Sequence, residues 1–570
     1  MQTLPPPPAG TDELLTAPAR HAVPLRGRWL DALLAVVVAL VALAIRWPHL
    51  WTVPRFTDET LEVLHSLAIV RDGARPLTNY DSYYGALYNY LIAAALWLLG
   101  ESPLVPRLVI LCVGGLTIAA TFFLARELAV GESDRRVSRA AGALAALLLT
   151  TNGAHVVVSS HIAWSNCLTP LLTTLAFWSL LRVGIRISLL RTAYCLLPTG
   201  FLFGLALQTH PLVLALLPGT LVYGLWVIRP LWRTPWPYLA VAAFALGYGN
   251  VLAYNVETGF ESLRSAERIR AEYALDQSAS GGSLGYLPTL GTMLLLLARV
   301  LGGAIDQRNG AVDYLADPVV MLACALASVA LLWLARRGQP LPLLVTLSFL
   351  LLLPAVNPKY RTLLTSRYLM PIVPLLFTAT ACFLVHGMQT LVSGRVGAAT
   401  LGRQRGAVTL GALIAAVLLV AAPLAPLGRY YGRTFERSDT NERILRLSAE
   451  IAASRRPDEM VLIDESIGTE LPDTGLTELR GFEYLLSFAR VPSRAIRTTP
   501  GRLQDEARRV PSALAVLNTR DAAAAAERVS ITPLDARPPP ETGRMFDYRL
   551  YRITSRLLSA VSIQLLLADR

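Results

Sequence analysis

Residues 29–60 read WLDALLAVVVALVALAIRWPHLWTVPRFTDET. The first part is an apolar run of the kind that a hydrocarbon slab roughly 30 Å thick requires of a helix. The last part, Phe56-Thr57-Asp58-Glu59-Thr60, follows directly on that span. Thr57 or Asp58 can cap a helix, and Leu61, Leu64, Leu67 and Ala68 follow at helical spacing, which predicts an amphipathic helix lying along the membrane surface. Asp58, Glu62 and His65 share one stripe of it. A solvated acidic face would explain that stripe equally well on residue type alone. Its place immediately after the first span makes it a candidate for chemistry.

Outward from this stretch the chain keeps the same character. Apolar residues make up 54% and charged residues 16% of it, with a mean hydropathy of +0.47, which excludes an ordinary soluble domain. Further apolar runs cover most of residues 30–427. Hydropathy counting yields about thirteen segments, and strict alternation then strands several Arg-rich loops on the outer side. Treating residues 84–99 and 287–303, the latter with Arg299 inside it, as interfacial or re-entrant leaves about eleven spans and sorts the loops by charge. Arg126, Arg135, Arg136, Arg139, Arg182, Arg186, Arg191, Arg229, Arg233, Arg336, Arg337, Arg395, Arg403 and Arg405 then fall on the cytosolic side.

The fold expected is mainly α: a polytopic transmembrane helical bundle with extra juxtamembrane helices, followed by a small extracytoplasmic α/β domain. Residues 1–28, with Pro5 to Pro8 and Arg20, Arg26 and Arg28, read as a disordered cytosolic tail ahead of a retained signal anchor. Residues 29–429 form the membrane domain, with a long first outer loop at 49–103. Residues 430–570 alternate helix-like stretches (441–454, 503–509, 522–529) with strand-like runs (460–463, 513–517, 548–553). The chain is thus expected to be an integral, multi-pass protein of the cell (inner or plasma) membrane, with a cytosolic N-terminus and an extracytoplasmic C-terminal domain.

One outer loop breaks the charge rule. Residues 357–367 carry Lys359, the only lysine of the chain, with Arg361 and Arg367, on the face that should avoid cations. Such a cluster points to an anionic ligand. The remaining cations are arginines dispersed between spans, not a stripe on a soluble face, so no nucleic-acid partner is implied. Cys112, Cys167, Cys195, Cys324 and Cys382 show neither metal-ligand nor disulfide-framework spacing.

Several elements in order resemble the glycosyltransferase-C superfamily, in particular its protein O-mannosyltransferase and aminoarabinose transferase branch (family 39 type). They are Asp58-Glu59, the segment Asp81-Ser82-Tyr83-Tyr84-Gly85-Ala86-Leu87-Tyr88, Val105-Pro106-Arg107-Leu108, the span end Gly204-Leu205-Ala206-Leu207-Gln208-Thr209-His210-Pro211, and Ser366-Arg367-Tyr368-Leu369-Met370-Pro371. The chain departs from the pattern where some relatives carry an acid after the third span, here His161 to Asn166, and where some carry a lysine, here His210.

The resemblance implies a membrane glycosyltransferase that moves a hexose or pentose from a polyprenyl-phosphate donor to a hydroxyl on a protein, lipid or polysaccharide acceptor at the outer membrane face, with inversion. Asp58 would be the base, with Glu59 orienting the loop or the acceptor. Arg367, Lys359, Arg361 and Arg107 would hold the donor phosphate. Asp81, Tyr84, His161 and His210 are substrate-binding candidates, although a histidine at a span end often serves only an interfacial carbonyl. No motif demands a cofactor, and dependence on a divalent metal stays open. The competing classes are a transporter, which usually carries ionisable groups at mid-membrane, and a non-catalytic envelope-assembly protein. A cytosolic nucleotide-sugar enzyme is disfavoured by the want of a phosphate-cradling glycine loop.

Overall fold

Within hydrocarbon every backbone N–H and C=O must be paired inside the chain, and this sequence meets that demand with helices. The computed structural model describes residues 25–48, 50–51, 57–129, 135–183, 189–279, 285–303, 316–357, 360, 364–392, 399–429, 439–468, 478–496, 505, 512–518, 522–523, 526, 530–534 and 548–554. Seventeen helices in these residues make up the membrane part. They are α1 (Leu25–Arg46), α2 (Thr57–Asp72), α3 (Leu87–Leu99), α4 (Val105–Leu128), α5 (Arg135–Thr151), α6 (Gly153–Ser160), α7 (Leu168–Val183), α8 (Leu189–Thr209) and α9 (Leu217–Val227), then α10 (Trp236–Gly247), α11 (Gly249–Thr258), α12 (Glu261–Ala279), α13 (Tyr286–Leu301), α14 (Pro318–Arg336), α15 (Leu341–Val356), α16 (Val373–Val392) and α17 (Ala399–Ala421). The expected tail 1–28 lies outside the described residues up to 24, and α1 already begins within it.

Among the described residues four helices are long and apolar enough to cross a membrane: Trp29–Arg46, Val105–Leu128, Pro318–Arg336 and Ala407–Arg429. The pairs α5–α6 and α10–α11 would raise the number to six, bent by 71° and 66°. Six further apolar helices are shorter. Hydropathy sees the runs that sum to about eleven spans but cannot see where a run bends. Both segments set aside as interfacial or re-entrant, now α3 and α13, are among the short helices.

The α5–α6 bend shows how a break survives in the interior. Asn152 caps α6 by accepting from the His155 N–H at 3.0 Å. The carbonyls that α5 loses at its end are collected by a buried cation: Arg46 donates to Leu149 O (3.1 Å) and Thr150 O (3.0 Å), and also to Ser160 Oγ (3.0 Å). A guanidinium at a helix C-terminus is also favoured by the helix dipole. Small residues do the corresponding work between α8 and α10, where a Cβ on Gly204 would lie 2.2 Å from Phe244 O, so the backbones touch.

The bundle has two distinct ends. At one, Asp31 of α1 pairs with Arg139 of α5 (2.6 Å) and Arg126 of α4 (3.1 Å), and Arg182 of α7 approaches Glu127 (3.7 Å). At the other lie the start of α2, the start of α4, the end of α6 and the segment Leu364–Tyr368 that precedes α16.

The C-terminal part holds α18 (Asp439–Ser454), α19 (Glu478–Phe488) and strands β1 (Met460–Asp464), β2 (Ser493–Ile496), β3 (Ser512–Asn518), β4 (Ser530–Pro533) and β5 (Tyr548–Thr554). They form one mixed sheet in the order β2-β1-β3-β5-β4, with β2, β1 and β3 parallel and β5 antiparallel to β3 and β4. The three strands and the first helix read from the sequence are present. The helices expected at 503–509 and 522–529 fall largely outside the described residues. This unit docks on the same end of the bundle as α2: Arg71 donates to Ser487 O (2.8 Å) and pairs with Glu101 (2.6 Å), which also meets Arg490 (3.2 Å).

Replacing Arg46 with Ala leaves two helix-end carbonyls without a donor, at roughly 1–3 kcal/mol each. A clear fall in the thermal unfolding temperature of Arg46→Ala in detergent is the expected result.

Candidate active site

The site starts from a division of labour between two adjacent acids. Successive residues on a helix point about 100° apart, so at the first turn of α2 Asp58 and Glu59 cannot share a direction. Glu59 turns inward and is fully buried, as is its partner Arg107 at the start of α4. Arg107 Nε and Nη2 donate to the two carboxylate oxygens at 2.8 and 2.9 Å, and Nη1 donates to Leu50 O at 2.8 Å. This bidentate geometry is the strong form of the pair. The Arg107 guanidinium, expected at a donor phosphate, therefore faces Glu59 and the end of the first span, because an acid buried on α2 requires a cation beside it.

Asp58 turns outward. Its Oδ2 accepts from Arg367 Nη1 at 2.5 Å, joining residues 309 positions apart in the sequence. The side chain of Asp58 is 30% exposed and that of Arg367 is 12% exposed. Arg367 lies over the Trp164 ring (4.3 Å from its centroid) and beside the Tyr368 ring (5.0 Å), and its Nη2 reaches Tyr368 Oη at 3.1 Å. Burial works against the Arg367 charge, but Tyr368 and Asp58 more than offset it and hold the guanidinium protonated. Its Nε is buried and meets no acceptor among the described residues. Stacking holds the cation flat and leaves this donor for a ligand. Lys359 and Arg361 lie outside the described residues.

A second wall comes from residues 80–85. The Gly85 N–H donates to Gln208 O at 2.8 Å, and a Cβ on Gly85 would lie 2.7 Å from the Gln208 side chain. Only glycine lets this loop sit so close to the end of α8. There Tyr84 and Tyr83 share a hydrogen bond (2.8 Å), and Tyr84 Oη lies 3.3 Å from His210 Nε2. His210 Nδ1 accepts from the Leu212 N–H (3.1 Å), so Nε2 carries the proton and donates to Tyr84. Its ring is also 5.4 Å from that of Tyr368, which ties this wall to Arg367. Asp81 is partly buried; burial raises its pKa, against hydrogen bonds from Tyr80 and Tyr83. Burial likewise pushes the Tyr83 and Tyr84 phenols well up, so they remain hydroxyl donors.

Of the residues singled out in the sequence, Asp58, Asp81, Tyr84, His210 and Arg367 thus gather around one space. His161 does not contribute its Nε2, which is within 2.7 Å of Arg46 O in the interior; it serves a span-end carbonyl. Two neighbours of this space, Trp164 and Tyr273, stand in no motif of the sequence, and Glu62 lies close by. Trp164 sits two helices away from any acidic motif. Tyr273, on the amphipathic α12, is held protonated by Tyr368 and by burial, and feels Arg367 and Asp58. Glu62 had its place on the acidic stripe as its only signal. Among the described residues no group of three or more His, Cys, Asp or Glu is placed to hold a metal ion.

Either single substitution, Glu59→Ala or Arg107→Ala, strands a buried charge and should destabilise the fold by about 3–5 kcal/mol. The double replacement by Met should recover much of that loss, read as thermal unfolding of the three variants beside wild type.

No protein-family model matches the sequence, and no curated protein is detectably similar to it. Solved structures do share its architecture. The crystal structure of ArnT from Cupriavidus metallidurans bound to undecaprenyl phosphate superposes with a TM-score of 0.55 at 15% identity, covering 91% of this chain and 97% of that one. The apo state of the same protein gives 0.53 at 15% identity, over 92% and 97%. With nearly the whole of both chains aligned, the chain shares the mainly helical architecture of these structures, the glycosyltransferase-C fold.

Proposed function

We propose that this protein is a glycosyltransferase that moves a sugar from a polyprenyl-phosphate carrier to a hydroxyl acceptor at the outer membrane face. The observation that carries the reading is the meeting of Asp58 and Arg367 at the end of the bundle away from the Asp31–Arg139 cluster. The positive-inside rule favours a cytosolic place for the arginine-rich end and so supports an outer position for this site and for the sheet domain docked beside it. The shared fold of ArnT, bound in its crystal to undecaprenyl phosphate, supports a donor of that chemical class.

The chemistry follows from the groups present. A polyprenyl phosphate is already a good leaving group, so its departure needs a cation more than a general acid. Arg367, stacked on Trp164, offers Nε and its terminal nitrogens to the phosphate oxygens by charge-assisted hydrogen bonds. The donor phosphate takes Asp58's place on the guanidinium, and that frees the Asp58 carboxylate. Asp58 then accepts the proton of the acceptor hydroxyl. The acceptor oxygen forms its bond to the anomeric carbon as the bond from that carbon to the phosphate oxygen breaks, and the electron pair leaves on the phosphate. Attack opposite the phosphate inverts the anomeric centre. Tyr83, Tyr84 and Asp81 line the wall where the sugar hydroxyls would lie, and Tyr84 receives its donor from His210. Glu59 and Arg107 hold the loop and touch neither substrate.

The test is turnover of a panel of polyprenyl-phosphate sugars by purified protein in lipid. Arg367→Ala should lower turnover of the preferred donor by about 10²–10³, and Asp58→Asn by about 10²–10⁴. Asp58→Asn should still bind undecaprenyl phosphate, at least as tightly as wild type, because the competing carboxylate is gone. Full turnover in Asp58→Asn would overturn the assignment of the base.

A further inference from the structure

Glu62 lies one turn beyond Asp58 on α2, and the mechanism above makes no use of it. Its carboxyl group is buried, and both oxygens face one residue. Oε2 accepts from the Ser165 N–H at 2.6 Å, and Oε1 is 3.1 Å from Ser165 Oγ. Asn79, also buried, lies beside the same carboxyl. Ser165 is the next residue after Trp164, whose indole Nε1 donates to Val158 O at 2.7 Å. The Trp164 ring is therefore held at two places, by its own N–H and by the backbone of its neighbour. On that ring lies Arg367.

We propose that Glu62 is a positioning residue for the phosphate clamp: through Ser165 it sets the plane of Trp164, and so the direction in which Arg367 presents its donors. This rests on the reading of Arg367 as the donor-phosphate site. The groups that act on Glu62 are Asp58 on its own helix and, from the elements packed against it, Asn79 and Ser165. Tyr80, Tyr88 and Cys167 also feel its charge, as neutral groups when it ionises. Burial first, and the charge of Asp58 second, raise the Glu62 carboxyl from 4.5 to about 8. At neutral pH it is an uncharged acid, because burial outweighs the Ser165 N–H and hydroxyl, which both donate to the carboxyl and by themselves favour its charged form. Ionisation would place a second carboxylate one turn from Asp58.

The sign of the pH effect follows. The unfolded chain loses this proton near 4.5 and the folded chain only near 8, so the unfolded form is favoured progressively as pH rises between those values. Glu62→Gln, an uncharged isostere of the acid, removes that slope. Measured on the full-length protein in lipid, Glu62→Gln should bind undecaprenyl phosphate like wild type and lose less of its unfolding temperature between pH 5 and pH 8. Glu62→Ala, and Glu62→Asp with its shorter reach, should bind undecaprenyl phosphate at least about tenfold more weakly, the scale typical of residues that orient a binding group. Because Glu62→Asp keeps the functional group and the fold, it answers the question even if the alanine variant folds poorly. Wild-type affinity in Glu62→Asp, or a loss in Glu62→Gln as large as in Glu62→Ala, would overturn the proposal. Absence of undecaprenyl phosphate binding in wild type itself would instead defeat the donor reading, and the pH slope of stability would still report on Glu62.

Discussion

Two opposite charges stripped of water, Glu59 and Arg107, fix the geometry on which everything at this end of the molecule depends. Neither ion could stay buried alone. Together they clamp the amphipathic helix onto the first turn of α4, and the third donor of Arg107 holds the end of the first span at Leu50. Helical pitch does the rest. With Glu59 committed inward, Asp58 must look out toward the space above the bundle and Glu62, a turn later, toward Ser165. A pair of acids adjacent in sequence thus becomes an anchor and a candidate base.

The cation opposite is framed by rings. Trp164 and Tyr368 set their ring faces against Arg367, and Tyr273 on α12, whose phenol burial and its neighbours hold protonated, feels its charge. Tyr83, Tyr84 and His210 continue this lining. Among the described residues, this enclosure sets one stacked guanidinium beside several neutral phenol hydroxyls.

Much of this was legible in the sequence because membranes impose simple rules. Charge sidedness separated the two ends of the bundle, and the position of Asp58 after the first span and of Arg367 before a late one placed both at the same end. The alternation of β1, β3 and β5 was visible as buried apolar runs, whereas β2 and β4 are short edge strands with little pattern to read. The partner of Arg107 is not legible, because a cation next to a membrane surface looks the same whether it awaits a ligand or is matched by an acid nearly fifty positions away. The bends at Asn152 and Tyr248 depend on partners such as Arg46 that only the folded chain supplies. Trp164 and Tyr273 carry no signal until the distant Arg367 arrives beside them.

The separation of Asp58 from Arg367 by 309 positions has a consequence for biosynthesis. A ribosome that adds about 5–20 residues per second takes roughly 15–60 s to travel that distance. During this time α2 can settle against α4 through Glu59, since Arg107 emerges early, but the cation that would engage a lipid phosphate has not been made. The nascent protein can therefore sit in the membrane with Asp58 already in position and still have no completed candidate site until most of its helices are in place.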